Sequence, residues 1–280
     1  MNTTWDPSVY LRHADDRARP FHDLLARVGA SAPDRVVDLG CGPGGLTRLL
    51  ADGWPAAYVL GVDSSPEMIR RAQPYALAGR CEFVRADVRQ WRSGAPVDVL
   101  VSNATLQWVP GHLELLAGWP AALRPGGWLA MQVPANFGAP SHALMREVAA
   151  SPRFQSALAG VLRHADAVET PETYVDVLAR AGCTVDAWQT TYLHVLPGED
   201  AVFDWVRGTG LRPVLDALPA DEADEFMATY AARLRGAYPR TEQGTVFPFT
   251  RTFVVAQRTP RSAARTPDGR QGNQRPIGTG

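Results

Sequence analysis

Lysine is absent from the 280 residues; all 28 side chains counted as Lys or Arg are arginine. The choice of Arg at any one position therefore says nothing about a need for its forked geometry. Cysteine is nearly absent. Cys41, Cys81 and Cys183 are odd in number and lack CxxC spacing, which excludes a disulfide framework and a cysteine-based zinc site and fits a reducing cytoplasm. No apolar run approaches the roughly 18 residues of a membrane span, and no charged-then-apolar leader opens the chain. Net charge is small too, -1 overall, so there is no bulk attraction to nucleic acid or to an anionic membrane. A cytoplasmic protein, a monomer, with no nucleic-acid or membrane partner is expected.

Ile277 is the one large apolar side chain in residues 258–280, RTPRSAARTPDGRQGNQRPIGTG, where five Arg face one Asp. Such a stretch cannot bury enough surface to offset its ordering entropy, and a disordered tail is expected. Residues 1–257 then hold 23 Arg against 28 acids, a net charge of -5, and are long enough for one mildly acidic α/β domain.

Within that body, short β-branched runs alternate with helical stretches, the pattern of βα units around a parallel sheet. The runs are 35–39, 57–62, 82–86, 97–102 and 128–133, with two more at 183–195 and 250–256. They predict a doubly wound, Rossmann-like, mostly parallel sheet of seven strands. Helices are expected at 68–78, after a Ser cap and a first-turn Pro, and at 113–123, before RPGG, with others near 141–150, 171–181, 199–207 and 220–236. About 50 residues separate the last two strands, too many for a tight connection. Residues 137–165 and 198–240 are therefore read as an inserted helical cap.

The stretch VVDLGCGPGG leaves the first strand and enters a helix, so Gly40, Gly42 and Gly44 stand where a backbone meets a ligand without an intervening Cβ. The GxGxG spacing leans away from dinucleotides. Asp38 decides more. Two residues before the first glycine, its carboxylate would repel a pyrophosphate and attract an ammonium or sulfonium, so a nicotinamide-dependent oxidoreductase is disfavoured. Asp63 ends the second strand, where an acid can accept both hydroxyls of a ribose, and Asp87 ends the third, where it can accept an adenine amine while Val88 packs on the ring. Together these positions describe an adenosine joined to a positively charged amino acid, S-adenosylmethionine. Cys41 reads as a small filler of the turn.

VVDLGCGPG, GVDSSPEM, RADVRQW and VSNATLQWV resemble, in order and spacing, the motifs of class I S-adenosylmethionine-dependent methyltransferases. WDPSVYL, NATLQWVPGH, VPANFGAPSHALMREVA, AGCTVDAWQTTYLH, DWVRGTGLRP and FPFTRTFVVA resemble the trans-aconitate methyltransferase family more narrowly, over about residues 5–256. The resemblance implies that Asp38, Gly40, Gly42, Gly44, Asp63, Ser64, Asp87, Val88 and Asn103 line the cofactor. It also implies that Tyr10 and Arg17, on a covering helix at about 5–30, reach the cofactor's carboxylate. The substrate implied is a small polycarboxylic acid, esterified with release of S-adenosylhomocysteine.

A carboxylate oxygen is already ionised at neutral pH, so no general base, catalytic triad or metal is expected. What such a site must supply is in-line approach and neutralisation of the carboxylates that do not react. His142, Tyr192, His194, Arg212 and Arg251 are the candidate clamps, and Trp108 a candidate wall beside the methyl. Two other functions fit the same cofactor motifs: a methyltransferase for another acid, from secondary metabolism or bound to an acyl carrier, and a non-catalytic S-adenosylmethionine sensor. Turnover separates them.

Overall fold

The run Arg35–Leu39 is buried at every position after the first, the mark of a strand covered on both faces. The computed structural model describes residues 14–162, 167–208 and 210–260, and in it this run is the central strand β1. Helix α1 (Ala14–Leu25) precedes it. After it come α2 (Gly45–Gly53), β2 (Tyr58–Asp63), α3 (Pro66–Ala72), β3 (Cys81–Arg85), β4 (Val97–Asn103), α4 (His112–Gly118) and β5 (Leu123–Pro134). The second half holds α5 (Pro140–Ala149), α6 (Gln155–Leu158), α7 (Pro171–Arg180), β6 (Cys183–Leu196), α8 (Ala201–Arg207), α9 (Arg212–Ala217), α10 (Ala220–Ala237), β7 (Arg240–Thr241) and β8 (Gly244–Arg258).

The strands lie in the order β3-β2-β1-β4-β5-β8-β6, with the two-residue β7 on the edge of β8. All pairs among β1 to β5 are parallel, and β8 runs antiparallel to both β5 and β6. The order reverses between β1 and β4, and in an open sheet of this kind a ligand lies beyond the carboxyl ends of the strands at that reversal. A mostly parallel doubly wound sheet is what the sequence predicts.

Several boundaries differ, among them the start of β5, at Leu123 rather than 128. The helix expected at 68–78 ends at Ala72 and continues as a 3-10 turn, Gln73–Tyr75, because Pro74 has no N–H for the next helical bond. The helix expected at 113–123 stops at Gly118 before another 3-10 turn that holds Pro120. Strand β8 begins at Gly244 rather than 250, since β6 pairs with it all the way from Cys183↔Arg258 to Leu196↔Thr245. Strand β5 accompanies β8 only from Pro134↔Arg251 to Trp128↔Gln257. Beyond that point β6 and β8 leave the sheet as a two-stranded ribbon.

Three apolar clusters follow from this layout. Phe21, Leu24, Val36, Val99, Val101 and Phe253 fill the sheet face under α1. Val37, Leu39, Leu100, Leu116, Tyr174 and Leu178 fill the opposite face. The third joins α5, α6, α8, α9 and α10 to the ribbon through Met145, Trp205, Phe226, Tyr230, Leu196 and Phe247. No described helix is long and apolar enough to cross a membrane. Tyr10 and residues 261–280 lie outside the described residues, and Arg17 is described only as helical backbone.

Candidate functional site

The three glycines after β1 share positive φ, at 83°, 54° and 85°, but answer to different neighbours. A Cβ on Gly40 would sit 2.0 Å from Thr105 Oγ1, and one on Gly44 would sit 2.7 Å from the Cβ of Ala72. Both positions are closed by the protein itself. Gly42 alone has nothing within 4 Å of the Cβ it lacks, so the turn presents its bare backbone to open space there. Cys41, between them, is buried and free, and burial holds its thiol well above the ordinary range, as befits a filler.

Asp38 is only 2 % exposed and accepts a 2.6 Å hydrogen bond from Thr47 Oγ1 in the first turn of α2. Burial raises its pKa from 3.8 to about 6, the Thr47 bond opposes that, and the charge of Asp63 adds to it. The carboxylate thus lies beneath the turn. Asp63 accepts the backbone N–H groups of Gly42 at 3.0 Å and Ser65 at 2.8 Å, tying the glycine turn to the start of α3. Ser64 is exposed, and its neighbour Ser65 caps α3 through the Met68 N–H. Asp87 is held by the backbone and guanidinium of Arg89, whose hydrogen bonds lower its pKa. Val88 is 7 % exposed, within the cluster on the sheet face away from Asp38, so packing already claims most of the surface expected to meet a ring.

At the end of β4, Asn103 keeps a buried Oδ1 without a hydrogen-bond partner. Ala104 follows at φ 53°, a left-handed conformation that costs a residue with a Cβ about 1–2 kcal/mol and that clusters at functional sites. Its N–H donates to Gln132 O, and its carbonyl accepts from Gln107 Nε2 at 2.7 Å.

The candidate clamps divide. Arg251 is 7 % exposed, donates from Nη1 to Gln132 Oε1 at 3.1 Å, and lies 4.7 Å over the Phe249 ring. It stands midway along β8 rather than at its start. Arg212 opens α9 rather than standing in a loop; it is 55 % exposed and faces Asp216 one turn on, at 3.9 Å. That setting is a solvent-screened helix pair. Tyr192, 3 % exposed, donates its hydroxyl to Asp23 at 2.6 Å, so it fastens β6 to α1. His194 packs against Trp205, centroids 4.6 Å apart, and serves the ribbon's aromatic core. His142 meets Phe137 edge-on and lines a shallow depression with Met145, Arg146 and Pro213. Trp108 is 51 % exposed beyond the end of β4.

Strand register brings Asp38, Asn103, Gln132 and Arg251 to one sheet face. Paired residues point the same way and side chains alternate along a strand; Asp38 pairs with Val101, Asn103 with Gln132, and Pro134 with Arg251. Sequence reasoning missed Gln132 and Asn136. Gln132 is 0 % and Asn136 3 % exposed, and each keeps one buried amide nitrogen without a partner, a cost of about 1–3 kcal/mol apiece. The signal was there in AMQVPAN, a lone Gln inside an apolar strand with an Asn just past its end.

Residues 36–127 match a family model described as a methyltransferase domain. Over 263 residues, 91 % of this chain and 87 % of the relative, the sequence is 60 % identical to the trans-aconitate 2-methyltransferase of Streptomyces coelicolor. It is 58 % identical over 261 residues to that of Streptomyces avermitilis, covering 91 % of this chain and 97 % of the relative. Among solved structures, an S-adenosylmethionine-dependent methyltransferase from Mesorhizobium loti superimposes with a TM-score of 0.51 at 22 % identity, over 87 % of this chain and 99 % of that one. That likeness is one of fold.

Proposed function

The chain belongs to the trans-aconitate 2-methyltransferase family of S-adenosylmethionine-dependent methyltransferases, and from that premise we propose that it esterifies one carboxylate of trans-aconitate, releasing S-adenosylhomocysteine. The observation that carries the reading is Arg251, a buried cation on the same sheet face as Asn103 and two strands beyond it. It offers an anionic substrate a seat on that face, three strands across from the glycine turn.

The residues present fit the methyl donor. Open space at Gly42, the acids Asp38, Asp63 and Asp87, and the unmatched Asn103 Oδ1 form an arc with a cation-attracting character along the ends of β1 to β4. In this reading Asp63 keeps its backbone bonds and turns its remaining lone pairs to a ribose. The bound cofactor supplies a methyl group on a sulfonium. The protein's part is placement. Asp38 and Asp63 favour a cation over the turn, Arg251 holds a carboxylate that does not react, and the reacting oxygen is left without a strong donor that would blunt it. Charge is annihilated as the ester forms, so a dry site favours the reaction. The helices of 137–165 and 198–240 are the elements assigned to excluding water, with Trp108 and His142 at their margin.

The same reading has the enzyme acting as a cytoplasmic monomer on a small acid, without nucleic acid or membrane, in keeping with three free buried cysteines and an acidic body. Radiolabelled S-adenosylmethionine with trans-aconitate, cis-aconitate, isocitrate, citrate and monocarboxylates tests it. A base-labile methyl ester formed fastest from trans-aconitate is expected. Turnover of only larger acids would replace the substrate.

A further inference from the structure

The hydrogen-bond assignments around Arg251 determine which amide atoms are left over. Gln132 Oε1 accepts from the Arg251 guanidinium, which can only donate, so the unmatched Nε2 is a donor. Asn136 Oδ1 accepts the Thr250 N–H at 2.7 Å, so its unmatched Nδ2 is a donor as well. Gln107 Nε2 donates to a carbonyl, which makes its unmatched Oε1 an acceptor, and Asn103 leaves Oδ1. The leftover polarity therefore changes sign across one strand: acceptors at and past the end of β4, amide donors at the end of β5.

Resting on the acid-methylating reading above, we propose that Gln132 and Asn136 are specificity-determining residues whose carboxamide N–H groups, with Arg251, hold the non-reacting carboxylates of a polycarboxylic acid. Both side chains are more than nine-tenths buried, where a donor is expected to find a partner. Both belong to one corner, since Ala135 N–H donates to Thr250 O while Thr250 N–H donates to Asn136. Amide donors on Gln132, which touches the Arg251 guanidinium, and on Asn136, bonded to the residue before Arg251, suit planar acceptors carrying negative charge. The acceptors over β4 suit the opposite sign, which separates the cationic methyl donor from the anionic acid.

Gln132→Glu and Asn136→Asp keep the acceptor oxygen each partner uses and replace the leftover donor by a carboxylate oxygen. Gln132→Met removes the donor without adding charge and serves if the glutamate costs folding. Calorimetric titration of trans-aconitate into each folded protein saturated with S-adenosylhomocysteine is the readout. At least tenfold weaker acid binding is expected, with the S-adenosylhomocysteine Kd within twofold of the parent and a smaller loss for a monocarboxylate than for the tricarboxylate. Acid binding within twofold of the parent in the folded variants would overturn the proposal, as would equal losses for both classes of acid. If the parent methylates trans-aconitate while the variants bind it unchanged, the proposal falls and the function stands. If the parent binds the acid in this donor-dependent way yet methylates none, the function falls and the site stands.

Discussion

A carboxyl group placed at 2 % exposure under a glycine turn is a cost to the folded chain. Asp38 has a folded pKa of about 6 against 3.8, so its contribution favours folding below the lower value and is lost as pH rises through the upper one, up to about 3 kcal/mol. Asp38→Asn keeps an acceptor for Thr47 and removes the charge. Its melting temperature should exceed the parent's at pH 8 and converge with it near pH 4, while its affinity for S-adenosylmethionine drops at least tenfold; a variant no more stable at pH 8 would show that the charge is not strained. Linkage gives a second expectation. A cation bound near Asp38 drives off its proton, so the parent's affinity should weaken by up to tenfold between pH 6 and pH 5, and Asp38→Asn should flatten that slope in calorimetry. The glycines separate in the same way. Gly40→Ala meets Thr105 at 2.0 Å and should destabilise the fold, whereas Gly42→Ala meets nothing within 4 Å. Gly42→Ala then costs only about 1–2 kcal/mol of left-handed strain and should lose cofactor binding out of proportion to its melting temperature.

At the scale of elements, the ribbon of β6 and β8 joins the sheet to the helical layer. Trp205 on α8 is 2 % exposed and meets His194, Phe247 and Phe249, so Trp205→Ala should cost about 3–5 kcal/mol in denaturant unfolding. A loss below 1 kcal/mol would mean the layer collapses around the gap. The ribbon also marks where sequence reading stopped. The parallel strands were legible because burial on both faces favours β-branched, mostly apolar runs such as VVDL and VDVLVS. The extension of β8 was not, because GTVFPF opens on a glycine, carries a proline and shows no apolar/polar alternation, and only its pairing with residues 191–196 makes it strand. The site divides similarly. Glycine spacing and strand-end acids are local signals, so Gly42 and Asp63 stand out in the sequence as candidates. The bond from Tyr192 to Asp23 spans 169 positions and the place of Gln132 beside Asn103 depends on strand register, so neither was legible.

For the whole molecule, the question is whether sheet and helical layer unfold together. Strand β8 lies between β5 and β6 in the sheet and carries Arg251, Phe249 and Phe247 outward without a break. Residues of one strand therefore belong to the cluster under α1, through Phe253, and to the helical cluster, through Phe247. Separating the two bodies would expose Trp205, Phe247 and His194 at the ribbon while leaving half of a continuous strand paired. That state loses much of the apolar burial but recovers little chain entropy, and it should be sparsely populated. Calorimetry should then give one transition whose calorimetric and van't Hoff enthalpies agree. S-adenosylhomocysteine, which binds the folded form, should raise that single transition as a unit, by about 2.7 kcal/mol at a concentration 100 times its Kd. Two transitions, with only one moved by the ligand, would mean that the helical layer folds on its own and that the ribbon is a hinge.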